Sequence, residues 1–168
     1  MLEVVSTSGS DEIRAVHMAR DIGVDWVLGG THVTEALGEL AGSAIRYCPF
    51  PGTIVDPSVL IGDIEEIAAS ARALSSTDGV DGLDLLAYRH QNADAEALTR
   101  AVVDASAGPV IAAGSIQSQA QTRALARSGA WAFTVGSAIF EELFAGAPEL
   151  APQVQSVLQL AGQATAKT

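Results

Sequence analysis

Two Gly-Ser dipeptides occupy matching places in this sequence, within Ala113-Gly114-Ser115-Ile116 and within Val135-Gly136-Ser137-Ala138. Each closes a short, β-branched apolar run and precedes a helix-like stretch, the arrangement that leaves main-chain N–H groups free to hold a phosphate. Two such turns separated by one helix predict a phosphorylated ligand, with Gly114, Ser115, Gly136 and Ser137 as its binding residues.

Proton transfer near neutral pH points to histidine, whose ordinary pKa is about 6.5. His32 follows the apolar run Trp26-Val-Leu-Gly-Gly-Thr, and His90 closes Leu83-Asp-Leu-Leu-Ala-Tyr-Arg-His. Period-two alternation over the second run puts Asp84, Leu86, Tyr88 and His90 on one face and Leu83, Leu85, Ala87 and Arg89 on the other. Asp84, Tyr88 and His90 are therefore expected on an inner face. His32, His90 and Asp84 are the catalytic candidates, and Tyr88, Arg46 and Arg89 the substrate-binding ones, the arginines through bidentate contact with a carboxylate or phosphate. The competing readings are structural: a helix-capping His32, a backbone-bonded Asp84, surface ion pairs for the arginines. Cys48 has no cysteine partner and reads as a buried core thiol. Ser6 and Thr7 read as helix-capping residues within reach of a ligand, and His17 as a helix-face residue.

The only lysine is Lys167, so no strand lysine can form a Schiff base or act as a base. No cofactor is expected. A divalent metal would have to be held by Asp84 with His32 or His90, a sparse ligand set.

Strand-like and helix-like runs alternate along the chain. Strands are predicted over 2–7, 25–30, 44–50, 83–88, 110–113 and 132–135, and helices over 11–22, 34–40, 63–74, 93–105, 119–128 and 138–144, with a last helix near 151–161. Asp63 with Glu66 and Ser118 with Gln121 have capping-box spacing, and Gly23, Gly79 and Gly129 stand where helices should stop. Strict alternation implies a parallel sheet with helical crossovers. Residues 1–161 are expected to form a single domain and 162–168 a flexible tail, with an unusually long connection at 52–62.

Of the 168 residues 48% are hydrophobic, enough for one sizeable core. No run approaches the roughly 18 apolar residues of a membrane span, and a lone cysteine with no basic leader reads as cytoplasmic. A formal charge of −11 disfavours nucleic acid and anionic membranes as partners.

Over residues 109–140 the pattern of a Gly-ended apolar strand, a helix leading to Ser128-Gly-Ala, and then Val135-Gly-Ser-Ala-Ile resembles the last two βα units of the phosphate-binding (βα)8 barrels. These include the N-acetylmannosamine-6-phosphate epimerases, ketodeoxyphosphogluconate aldolases and ribulose-phosphate epimerases. Phe50-Pro-Gly-Thr with Asp56-Pro-Ser is similar to a segment after strand five of the aldolase branch. The resemblance implies a TIM-barrel-derived α/β fold whose ligand phosphate lies on the loops after the last two strands. Counted back from 132–135 as strand eight, the first strand here becomes strand three, leaving a partial barrel of six βα units. Its unpaired edges imply a homo-oligomer; an open doubly wound sheet is the alternative. The implied activity is that of an isomerase, epimerase or lyase of carbohydrate metabolism acting on a small sugar phosphate. A non-catalytic sensor of a phosphorylated metabolite is the competing reading. The glycerol-3-phosphate-responsive antiterminators share such barrels, but the acidic charge here argues against RNA.

Overall fold

The computed structural model describes residues 1–144 and 148–165, with side chains through 162. Parallel strands alternate with helices, as the hydrophobic rhythm requires. In chain order these are β1 (Leu2–Val4), α1 (Gly9–Ile22), β2 (Trp26–Gly29), α2 (Val33–Leu40) and β3 (Arg46–Cys48). A hairpin, β4 (Thr53–Val55) and β5 (Val59–Ile61), precedes α3 (Ile64–Ser75) and β6 (Leu83–Leu85). A 3-10 turn at Ala87–Arg89 leads to α4 (Ala95–Ala105), β7 (Val110–Ala112), α5 (Gln119–Arg127), β8 (Ala132–Phe133), α6 (Ser137–Phe140) and α7 (Leu150–Thr165).

Two parallel sheets, β1-β2-β3 and β6-β7-β8, carry the fold. Main-chain bonds just outside the ladders join them, Asp81 N–H to Tyr47 O at 2.8 Å and Asp84 N–H to Pro49 O at 3.0 Å. The chain therefore continues laterally from β3 to β6. Among the described residues no main-chain ladder joins β8 back to β1, so the strands do not close a barrel.

Alternate strand residues divide between two faces. Val4, Val27 and Tyr47 pack with Val16 and Ala19 of α1 and Ala36 and Leu40 of α2. Leu83, Leu85 and Val110 pack with Ile67 and Ala71 of α3 and with Leu98 and Val102 of α4. Both helix pairs are spaced by four residues, which places them on one stripe. Each fully buried Leu or Ile contributes about 2 kcal/mol from area alone. The opposite face carries a smaller cluster, Leu28, Cys48 and Ile111 with Trp26 and Ala132.

The capping box at α3 is complete: Glu66 N–H donates to Asp63 Oδ1 at 2.8 Å and Asp63 N–H to Glu66 Oε2 at 3.1 Å. Gly23, at φ +74°, ends α1 in the left-handed region that favours glycine. Ser118 caps α5, but the Gln121 side chain reaches back to Gln117 N–H rather than to Ser118 N–H.

Three expectations need correction. The long connection at 52–62 is not irregular: Thr53-Ile-Val and Val59-Leu-Ile pair antiparallel around an Asp-Pro-Ser turn, and Ser58 Oγ donates to Val5 O, tying the turn to the end of β1. The strand expected over 83–88 stops at Leu85, and the 3-10 turn takes up Ala87–Arg89. The boundary expected after residue 161 falls inside α7, which runs through Thr165; residues 166–168 of the expected tail lie outside the described residues. No helix is long and apolar enough to cross a membrane among the described residues.

Candidate functional site

The C-terminal ends of β1, β7 and β8 surround a cavity of about 180 Å³. Its wall includes Gly114 and Ser115 from the turn after β7, and Gly136 and Ser137 from the turn after β8. Glu3, Arg89, Gln117 and Thr134 complete its polar lining. The two Gly-Ser turns are therefore on one pocket.

Gly114 and Ser115 both have positive φ, +74° and +56°. A Cβ on Gly114 would also lie 2.9 Å from Arg89 Cδ and Nε, so glycine lets the arginine stem pack on the main chain. Among the described residues, no protein acceptor takes the N–H groups of Gly114, Ser115, Gly136, Ser137 or Ala138. The next amide, Gln117 N–H, is held by Gln121 Oε1 at 2.8 Å, and Gln121 Nε2 donates to Ser115 O at 3.1 Å. Gln121 thus fixes the first turn from behind, and Tyr88 Oη donates to Gln121 O at 3.4 Å.

Arg89 enters the cavity because the 3-10 turn interrupts the alternation. With three residues per turn, strand periodicity no longer decides which side chain faces inward. The guanidinium has no hydrogen bond or ion pair among the described residues, which leaves its donors for an anion. His90, expected inward, turns to the hairpin instead. Its Nε2–H donates to Gly62 O at 2.8 Å, and its Nδ1 accepts from Asn92 N–H at 3.0 Å and Ala93 N–H at 2.7 Å. Both ring nitrogens are occupied in joining β5 to the start of α4. Tyr88 packs with Ile116 and Leu125 behind the first turn, not in the cavity.

The expectation for Arg46 also changes. It opens β3 and lies at the opposite, N-terminal end of the parallel strands, its guanidinium carbon 4.9 Å over the Trp26 ring.

Glu3 was passed over in the sequence, although one acid in Leu2-Glu3-Val4-Val5 breaks an apolar run. Leu2 and Val4 face the helices, so Glu3 faces the interior. Thr134 Oγ1 donates to Glu3 Oε2 at 3.3 Å, a side-chain bond across the gap between β8 and β1. Burial raises the Glu3 pKa, opposed by the Thr134 bond and the Arg89 charge.

Register places Glu3 beside Leu28 and Leu28 beside Cys48, while Asp84 stands beside Ile111 and Ile111 beside Ala132. Asp84 is 0% exposed, and neither carboxylate oxygen has a hydrogen-bond partner. Its pKa is driven well above the usual range, first by burial and then by the Glu3 charge. The Cys48 thiol, in the same layer, is pushed up to about 12 by burial and then by Asp84 and Asp81. It is an inert core thiol.

His32 sits on the strand end that carries the Gly-Ser turns but does not line the cavity. Glu12 of α1, 1% exposed, accepts from Thr31 N–H at 2.9 Å, from His32 N–H at 3.0 Å and from His32 Nδ1 at 2.9 Å. Glu12 thus orients the ring through Nδ1, and Nε2 has no hydrogen bond among the described residues. Glu12→Gln, which keeps one acceptor oxygen and replaces the other by a donor, is expected to cost about 1–2 kcal/mol of stability, measured by urea unfolding. Among the described residues, no group of three His, Cys, Asp or Glu side chains is placed to hold a metal ion.

No family model and no curated protein matches the chain. Solved structures do. The Amycolatopsis orientalis BexX/CysO complex aligns with TM-score 0.63 at 20% identity, covering 99% of this chain and 68% of that one. A FabK mutant from Thermotoga maritima aligns with TM-score 0.57 at 20% identity, over 82% of this chain and 42% of that one. Muconate cycloisomerase from Pseudomonas fluorescens gives TM-score 0.57 at 17% identity, over 98% and 42%. The chain thus spans under half the length of two of these neighbours. At such identities the likeness shows the fold alone: mixed α/β, with parallel sheets and crossover helices.

Proposed function

We propose that this chain is a barrel-derived α/β domain that binds a small sugar phosphate between its two Gly-Ser turns. It acts there as an isomerase, epimerase or lyase through side-chain proton transfer, without a Schiff-base lysine. The observation that carries this reading is the shared cavity, where unengaged amides of residues 114–115 and 136–138 stand with the unpaired Arg89 guanidinium. Such donors suit a dianion even in a chain of net charge −11, because short-range hydrogen bonds act where the long-range field is screened.

Glu3 is the side chain best located for proton transfer, being the carboxyl that lines this cavity. It takes the place that alternation assigned to His90. A second reading, binding without turnover, is favoured by the position of both histidines outside the lining.

Thermal unfolding with inorganic phosphate and with C3–C6 aldose and ketose phosphates tests the binding. A ligand at about 100 times its Kd should stabilise the native state by about 2.7 kcal/mol. Arg89→Met should reduce that stabilisation by at least half while leaving the unliganded transition in place. Full stabilisation in the variant, or none in the parent, contradicts the proposed site. Solvent deuterium incorporation into a stabilising sugar phosphate separates catalysis from binding alone.

A further inference from the structure

Both tryptophans of the chain lie at the strand ends opposite the Gly-Ser turns. Trp26 opens β2, Arg46 opens β3 and Trp131 stands just before β8. With Asp81 and the 107–109 turn they line an open surface depression of about 610 Å³. It shares no lining residue with the cavity at the other end.

Trp26 packs against Leu28, Cys48 and Ile111, so core packing accounts for it. It does not account for Trp131, which is 60% exposed. The two rings are 5.7 Å apart between centroids with planes tilted by 32°, and Arg46 covers the Trp26 ring. Trp131 therefore keeps an open aromatic surface beside a cation. Arg46 has no ion pair or hydrogen bond among the described residues. Asp81 is engaged at Oδ2, which accepts from Tyr47 N–H at 2.9 Å, and has no hydrogen bond at Oδ1 among the described residues.

We propose that this depression binds a planar aromatic monocarboxylate bearing a hydroxyl or amino donor. The ring lies on the open face of Trp131, the carboxylate on Arg46, and the donor on Asp81 Oδ1. Stacking on indole selects planarity, and a guanidinium suits a carboxylate geometrically. The Asp81 charge in the same wall disfavours a phosphate dianion, and the Ala107 and Gly108 N–H groups of the lining turn are already bonded, to Ser75 Oγ at 3.0 Å and to Ser106 Oγ at 3.2 Å.

Because both tryptophans line it, intrinsic fluorescence reports on this site. Titration of the full chain with 4-hydroxybenzoate is expected to give a saturable change, whereas cyclohexanecarboxylate, which is not planar, gives none. Inorganic phosphate leaves the signal unchanged. By calorimetry, Arg46→Ala and Trp131→Ala should each weaken 4-hydroxybenzoate about tenfold. Trp131→Ala removes a mostly exposed side chain, so an unchanged unfolding transition excludes misfolding as the cause. No saturable change below about 10 mM ligand, equal affinities in both variants and parent, or equal response to the cyclohexane acid overturns the proposal.

Discussion

Replacing Gly136 with aspartate is expected to abolish binding of phosphorylated ligands while leaving the fold intact. A Cβ at this position meets no atom within 4 Å, so the new side chain has room. Its carboxylate would stand in the cavity wall, beside the amides of Ser137 and Ala138 and facing any bound phosphate. Like charges about 4 Å apart near a protein surface repel by about 4 kcal/mol at an effective dielectric constant of 20. Affinity for inorganic phosphate or a sugar phosphate should therefore fall by at least about a hundredfold. Gly136→Ala is the control, with near-parental affinity and the same thermal transition. Calorimetric titration reads both. A Gly136→Asp variant that still binds phosphate within about threefold of the parent would place the anion elsewhere.

The second large effect concerns Asp84. Its carboxyl is fully buried, has no hydrogen-bond partner and carries a strongly raised native pKa. In the unfolded chain the same group titrates near about 3.9. Between these values the native state holds a proton that the unfolded state has lost. Stability therefore falls as pH rises through this window, by up to about 1.4 kcal/mol per pH unit. The raised pKa of Glu3 acts in the same direction. Lowering the pH from neutral toward the unfolded value should stabilise the protein through both groups. Asp84→Asn, of nearly equal volume but unable to ionise, should be more stable than the parent at pH 7 and show a flatter stability profile. Urea unfolding at several pH values measures this. A variant with the parental slope would show that Asp84 is not the group responsible.

Much of the architecture follows from local pattern. The apolar runs at 26–29 and 110–112 and the four-residue spacing of Ile67 with Ala71 and Leu98 with Val102 make the strands and helices legible one element at a time. The hairpin at 53–61 was also encoded, in two triplets rich in β-branched residues around Asp-Pro-Ser. It was hidden because strict strand–helix alternation left no place for a connection with structure of its own.

The site was legible in part, for a physical reason. Gly114, Ser115, Gly136 and Ser137 announce themselves through backbone geometry, which is a local property. Arg89 enters the cavity and His90 turns to the hairpin because a 3-10 turn follows Leu85, and period-two counting cannot register it. Glu3 becomes important only when β8 approaches β1 and Thr134 reaches its carboxylate. Glu12 matters through bonds made 19 and 20 residues along the chain. Arg46 could be ranked only once the strand direction had put it at the far end from the Gly-Ser turns.

Backbone 1H–15N spectra recorded during a titration with inorganic phosphate show which main-chain amides receive the anion. The expected result is that Gly114, Ser115, Gly136, Ser137 and Ala138 shift together and saturate at one common concentration, with the amides near Trp26 and Trp131 unmoved. Shifts confined to one turn, two different saturation points, or a response centred elsewhere in the chain would contradict it.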